Sequence, residues 1–251
     1  MTQRVEILGT GFDAVDLESA VRRISAMMTE PGPHLVVTAN VEMVMLARRA
    51  PDVREILARA SLVVADGVGV VWGSRQLGRP LPARVPGIDL AERLCREAAG
   101  RGWRLYLLGG AAGVAEAASA RLRARYPGLL ITGCAGGYFG PGEDRRVVEA
   151  VRRASPDLLF AGLGFPRQER WLAGRLDALG VPVVMGVGGT LDVWAGRARR
   201  APRLWQTLGL EWSYRLLREP RRIRRQLAIP QFMGVIYLER ARAAVPRLRR
   251  S

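Results

Sequence analysis

Two short polar motifs stand where a parallel sheet would set them side by side. Thr38-Ala39-Asn40 follows the apolar run Leu35-Val36-Val37, and Ala65-Asp66-Gly67-Val68-Gly69 follows Leu62-Val63-Val64. Parallel strands that end this way deliver their last residues to one crevice at the carboxyl edge of the sheet, where α/β folds bind ligands. A carboxylate at Asp66, with Thr38 and Asn40 as hydrogen-bonding neighbours, is a candidate general base with groups to orient it. The same Asp66-Gly67 pair reads equally as a turn and helix cap, and the local pattern leaves both readings open.

Three glycine-rich loops could line the same crevice. Gly109-Gly110-Ala111-Ala112-Gly113 follows an apolar run and precedes a helical stretch, so its backbone N–H groups could approach a phosphate. It lacks the spacing of the dinucleotide fingerprint, no acidic residue marks a ribose site, and an unliganded turn fits as well. Gly136-Gly137-Tyr138-Phe139-Gly140 could offer close backbone approach and an aromatic ring for a nucleobase, or simple packing. In Gly162-Leu163-Gly164-Phe165-Pro166-Arg167-Gln168-Glu169, the last two residues start a helix at a strand's carboxyl end, where capping and helix-dipole compensation are the plain alternative.

The elements that must position these residues alternate along the chain. Strand-like runs fall at residues 5–8, 36–37, 62–64, 105–108, 129–131, 158–160 and 181–185. Helical spacing falls at 17–28, 41–60, 90–99, 114–125, 143–153 and 169–179. This order predicts an α/β fold, a Rossmann-like, mostly parallel sheet with helices on both faces, over residues 1–196. Residues 197–251 then read as a basic helical appendage, divided into short helices by Pro220 and Pro230.

Charge is concentrated in that appendage. The 251-residue chain has net charge +16, and residues 197–251 carry fifteen arginines against Glu211, Glu219 and Glu239. Lysine is absent throughout. Such a field suits phosphates, anionic lipid or nucleic acid. Trp205, Trp212, Leu216 and Leu217 interleave with the arginines, as do Ile229, Phe232, Met233 and Tyr237 further on. A basic amphipathic segment with aromatics fits a membrane interface, and a helix packed on the domain with a solvated basic face fits as well. No apolar run approaches the roughly 18 residues of a spanning helix, and the first residues lack a charged-then-apolar leader. Cys95 and Cys134 are the only cysteines and His34 the only histidine, which argues against disulfides, multi-histidine metal sites and a Ser-His-Asp triad.

Taken in order, the motifs resemble one family across nearly the whole chain. They are Leu8-Gly9-Thr10-Gly11-Phe12-Asp13, Thr38-Ala39-Asn40, Ala65-Asp66-Gly67-Val68-Gly69, Arg84-Val85-Pro86-Gly87-Ile88-Asp89 and the Gly162 to Glu169 block. Tyr106-Leu107-Leu108-Gly109-Gly110, Gly186-Val187-Gly188-Gly189, Arg200-Ala201-Pro202 and Gly209-Leu210-Glu211-Trp212-Ser213-Tyr214-Arg215 complete the set. The chain resembles the bacterial glycosyltransferases typified by the N-acetylmannosaminyl and N-acetylmannosaminuronic acid transferases of wall teichoic acid and enterobacterial common antigen synthesis. Where that family often has Glu before its Arg-Val-x-Gly block, this chain has Ala83.

The resemblance implies inverting transfer of a sugar from a UDP-sugar to an undecaprenyl-diphosphate-linked sugar. It implies Asp66 as general base and Thr38, Asn40 and Arg84 in the pocket. Gly137, Tyr138, Gln168 and Asp192 match the nucleotide-sugar region. Arg215, Arg222 and Arg225 fall where the family's appendage closes over the site, one of them stabilising the departing UDP. No Asp-x-Asp motif is present, so charge on the diphosphate is expected to meet arginines and backbone donors, with no metal or other cofactor. The expected setting is the cytoplasmic face of the cell membrane, peripherally bound to an anionic surface, with no nucleic-acid partner. Two other classes fit parts of the pattern: a nucleic-acid-binding protein using the basic segment, and a Rossmann-type nicotinamide oxidoreductase.

Overall fold

All but the first of the apolar runs become strands of one parallel sheet. The computed structural model describes residues 3–140, 142–207, 209–218 and 223–244, without the side chains of Arg215, Arg218, Arg224 and Ala244. The chain begins with β1 (Arg4–Ile7), β2 (Thr10–Asp13), α1 (Leu17–Met27), β3 (His34–Ala39), α2 (Val41–Ala47) and α3 (Pro51–Arg59). It continues through β4 (Leu62–Ala65), α4 (Val68–Gln76), α5 (Gly87–Arg101), β5 (Arg104–Gly109), α6 (Val114–Arg125) and β6 (Leu130–Ala135). Then come α7 (Asp144–Ala154), β7 (Leu158–Gly162), α8 (Arg167–Leu179), β8 (Val183–Gly186) and α9 (Thr190–Trp194). The last described elements are α10 (Arg203–Thr207), α11 (Glu211–Arg218), α12 (Ile223–Gln226) and α13 (Ala228–Ala244).

Six strands form one parallel sheet in the order β4-β3-β8-β7-β5-β6. Helices α1, α5, α6 and α9 pack on one face, around Leu90, Leu94, Leu107 and Leu191. Helices α2, α3, α4, α7, α8 and α13 cover the other, around Val44, Leu57, Val184 and Phe232. The connection leaving β5 therefore runs over one face and the connection leaving β7 over the other. Such a reversal between neighbouring strands opens a crevice at their carboxyl ends. Gly109 and Gly162 line its floor so closely that a side chain on Gly109, at φ +146°, would fall on the Gly162 carbonyl.

Four expectations change. Residues 5–8 do not start the main sheet: β1 pairs antiparallel with β2, joined by Leu8 and Gly9, both at positive φ, as a tight hairpin turn requires. That hairpin covers the sheet's edge, where the Asp13 carboxylate accepts the Val63 N–H at 2.8 Å. The helix expected over 41–60 is two helices, because Pro51 has no N–H to continue the ladder and instead starts α3. Residues 68–76, not anticipated as helical, form α4. Pro230 does not divide the appendage, since in the first turn of α13 its missing N–H costs nothing. Pro220 lies outside the described residues.

The appendage is not merely laid against the body. Phe232 and Ile236 of α13 are fully buried in the core beneath α2 and α4, and an added Cβ at Gly73 would meet the Phe232 ring at 2.7 Å. Elsewhere in the core, burial pushes the Cys95 thiol up to about 12, which makes it an inert packing group.

Candidate active site

The carboxyl ends of β3 and β4 hold their register past the last paired residues. Thr38 lies opposite Val64 and Ala39 opposite Ala65, and the Asp66 N–H donates to the Ala39 carbonyl at 2.9 Å. Asp66 is thereby carried level with Asn40. Strand alternation turns Thr38 to the same face as Val36 and Val64, toward α5. Thr38 is buried there against Gly87, where an added Cβ would stand 2.9 Å from its Oγ1. Asn40 caps α2, its Oδ1 accepting the Met43 N–H at 3.1 Å, so its amide NH2 is the part suited to a substrate. Asp66 is half-buried, and the cap position of α4 belongs to Gly67, at φ +132° with open space before it. That opening lets a ligand approach the backbone beside the carboxylate.

The C-terminal segment runs across this edge of the sheet. Gly209 packs against Val68, 2.6 Å from the side chain where its Cβ would be, just beyond Asp66-Gly67. Glu211, at the start of α11, accepts Arg84 Nη1 at 2.8 Å and lies 3.6 Å from Arg200 Nε. Arg200 also grips Asp89 with both terminal nitrogens, at 2.5 and 2.9 Å. Burial works against the Arg200 charge, but Asp89 and Glu211 hold its pKa above the ordinary arginine value. Further along, Arg225 of α12 donates to Glu42 of α2 at 2.7 Å. The strap is therefore tied to α5 on one face of the sheet and to α2 on the other, at the β3–β4 end. Its α11 helix brings the Arg215 backbone one turn beyond Glu211. The Arg215 side chain and all of Arg222 lie outside the described residues.

On the far side, the loops after β5, β6 and β7 stack. The Gly137 N–H donates to the Gly110 carbonyl at 2.8 Å, and an added Cβ at Gly137 would meet the Gly109 backbone at 2.9 Å. Arg167 braces this loop, donating to the carbonyls of Gly137 and Phe139 at 2.7 and 3.0 Å and lying 4.7 Å over the Phe139 ring. Tyr138 is left 84% exposed, a ring presented to whatever enters. Asp192 is half-buried in the first turn of α9, after β8, two strands away from Asp66. A separate groove of about 510 Å³ on the outside of α8 is lined by Arg167, Arg170 and Arg175, but each of these is already engaged by the protein.

Gln168 does not reach the open crevice in this structure. It is buried, its Oε1 accepting the Gly188 N–H at 3.0 Å and its Nε2 donating to Glu169 Oε1 at 2.7 Å. Glu169 is also buried, and its Oε2 has no hydrogen-bond partner. Burial, and next among the raising influences the Glu42 charge, pushes the Glu169 carboxyl above the usual glutamate value, against the Gln168 hydrogen bond and Arg225. The native state then keeps a proton that the unfolded chain releases. The stability this represents is complete below the ordinary glutamate pKa and is lost as pH rises to the folded value. Glu169→Gln, which has no proton to lose, is expected to remove that decline: wild type and variant should diverge in urea midpoint from about pH 4.5 upward, with the variant favoured at the higher pH.

Among the described residues, no group of three or more His, Cys, Asp or Glu side chains gathers as metal donors. Sequence reasoning found the blocks holding Glu211 and Arg200 but not their union, because Arg84 and Glu211 meet across 127 positions. Glu42 carried no signal beyond its charge, and Arg167 stood only as one member of the Gly162 to Glu169 block. The result is a strand-end carboxylate with flanking hydrogen-bonding side chains, glycine loops open to a ligand, and an arginine-bearing strap across them. Such a crevice suits group transfer from a donor with an anionic leaving group.

Comparison with known proteins gives the class a name. The family model described as "Glycosyl transferase WecG/TagA/CpsF family" matches residues 5–245. The chain belongs to this family and is a glycosyltransferase. It is 38% identical over 234 residues to the N-acetylglucosaminyldiphosphoundecaprenol N-acetyl-beta-D-mannosaminyltransferase of Staphylococcus aureus strain MW2, covering 92% of this chain and 91% of the relative. The same enzyme from S. aureus strain NCTC 8325 / PS 47 matches at the same identity and coverage.

Proposed function

We propose that this glycosyltransferase moves a sugar of the N-acetylmannosamine type, its uronic acid or glucose from a UDP-sugar to an undecaprenyl-diphosphate-linked sugar, with inversion at the anomeric carbon. The product enters a cell-surface polysaccharide. The observation that carries this reading is the match to mannosaminyltransferases along nine-tenths of both chains, with the family match running over residues 5–245, crevice and strap included. N-acetylmannosamine is the donor sugar favoured by those relatives.

In the proposed step, Asp66 takes the proton of an acceptor hydroxyl as that oxygen attacks the anomeric carbon. The new C–O bond forms on the face opposite the breaking bond to the diphosphate, and UDP departs with the bonding pair. Asn40 and Thr38 orient the sugar, while Gly137, Tyr138 and Asp192 frame the nucleotide-sugar, and Gln168 acts on it only through the Gly188 backbone that it holds. Arg84 meets a phosphate by exchanging Glu211 for it. Arg215, Arg222 or Arg225 neutralises the diphosphate, so no metal is required.

The acceptor's lipid anchor places the enzyme at the inner face of the membrane. Among the described residues no helix is long and apolar enough to cross a bilayer. Leu217, Ile223, Leu227, Tyr237 and Leu238 are exposed on the arginine-rich segment, a surface suited to an anionic interface. The test is transfer from UDP-N-acetylmannosamine to a GlcNAc-diphospho-lipid in EDTA, with the linkage read by NMR. A single linkage of inverted anomeric configuration, formed faster with anionic vesicles, is expected. Retention of configuration, or an absolute requirement for added metal, would contradict the mechanism.

A further inference from the structure

The centre of the crevice is held by a buried bracket that the transfer step itself does not use. Gln168 and Glu169 open α8 on the face opposite α5, beneath the turn that leaves β8. Glu169 Oε1 holds the Gln168 amide at 2.7 Å, and the other end of that amide holds the Gly188 N–H at 3.0 Å. Gly186 packs so tightly on the pair that a Cβ there would fall on Gln168 Nε2 and lie 3.3 Å from Glu169 Oε1. Above the bracket, Gly188 at φ +52° and Gly189 would each have open space at Cβ. In the sheet, β8 stands between β3, which carries Thr38 and Asn40, and β7, which leads to Gly164. The turn thus forms the middle of the ligand-facing edge.

We propose that Glu169 is a positioning residue for the donor: it fixes Gln168, which fixes the Gly188 backbone, so that the Gly186–Gly189 turn is set before a nucleotide-sugar enters. The chain of contacts runs from a residue that touches no substrate to a backbone that faces one. A glutamate in this place needs explaining, because a buried carboxyl with one unpartnered oxygen is costly unless its other oxygen does something specific. An amide could play the same part, and only an acceptor at Oε1 is needed. Losing one such bond frees the turn by about a factor of five, since a hydrogen bond contributes roughly 1 kcal/mol net. The charged groups facing Glu169 are Glu42 on α2 and Arg225 on α12.

This inference rests on the proposed use of a nucleotide-sugar donor, so its test has one arm that needs no turnover. In that arm, amide hydrogen exchange at Gly188 is followed by NMR in wild type, Glu169→Ala, Glu169→Gln and Gly186→Ala. In the other, KM for the UDP-sugar and kcat are measured across pH. Glu169→Ala and Gly186→Ala are expected to speed Gly188 exchange about fivefold and raise donor KM by a similar factor, with kcat little changed. Glu169→Gln should restore both within about twofold. Unchanged Gly188 exchange in Glu169→Ala overturns the proposal. So does exchange that quickens equally throughout the sheet, or a Glu169→Gln variant as impaired as Glu169→Ala. If wild type turns over no UDP-sugar, the donor reading fails, while the exchange arm still decides whether the bracket sets the turn.

Discussion

Asp66→Asn is expected to lower kcat for transfer by about 10³, with the fold and UDP affinity preserved. The substitution keeps the size of the side chain and removes its negative charge and, with it, the ability to take a proton. Asp66 sits where the register of β3 and β4 places it beside Asn40, half-buried and flanked by open space at Gly67. A turn residue in that position would tolerate asparagine, which favours turns as much as aspartate does. The two roles therefore separate in one experiment: kcat from UDP release, and UDP binding measured apart from turnover. A kcat within a few-fold of wild type would return Asp66 to the status of a turn.

The second large effect belongs to the strap's arginines. Among Arg215→Ala, Arg222→Ala and Arg225→Ala, the variant lacking the group on the departing diphosphate is expected to lose about 10² to 10³ in kcat, the usual cost of one charge-stabilising donor. The three need separating because Arg225 has a second occupation, its 2.7 Å contact with Glu42. If Arg225 acts only by tethering the strap, Glu42→Gln will reproduce the Arg225→Ala defect. If it acts on phosphate, Glu42→Gln will leave kcat far closer to wild type. Removing residues 197–251 should abolish transfer too, but it also strips Phe232 and Ile236 from beneath α2 and α4. Point substitutions are the cleaner test. Kinetics in which all three variants match wild type would take the strap out of the chemistry.

Most of the sheet was legible because its strands are buried on both faces and so read as unbroken apolar runs. Val36-Val37 and Leu62 to Val64 are such runs, and their polar ends named Thr38, Asn40 and Asp66 directly. The β1–β2 hairpin escaped because four-residue strands joined by Leu8-Gly9 give too short a pattern, and a leucine at positive φ is no ordinary turn signal. Helix α4 escaped because its start, Gly67-Val68-Gly69, has the composition of a loop. Its glycines are there for fit: a Cβ at Gly69 would meet Val41 at 2.7 Å. The appendage was legible as basic and amphipathic, but composition could not say that α13 shares the core. The ion pairs that seat the strap, Arg84 with Glu211 and Arg225 with Glu42, join residues too distant in sequence for any spacing rule. Nor could a sequence show that Gln168 faces inward rather than toward a ligand.

The most direct test of the central claim is acceptor-dependent UDP release from UDP-N-acetylmannosamine in EDTA, with and without a GlcNAc-diphospho-lipid, for wild type and Asp66→Asn. The account predicts release by wild type only when the acceptor is present, and almost none by the variant. Release that ignores the acceptor, or that Asp66→Asn sustains at the wild-type rate, would contradict it.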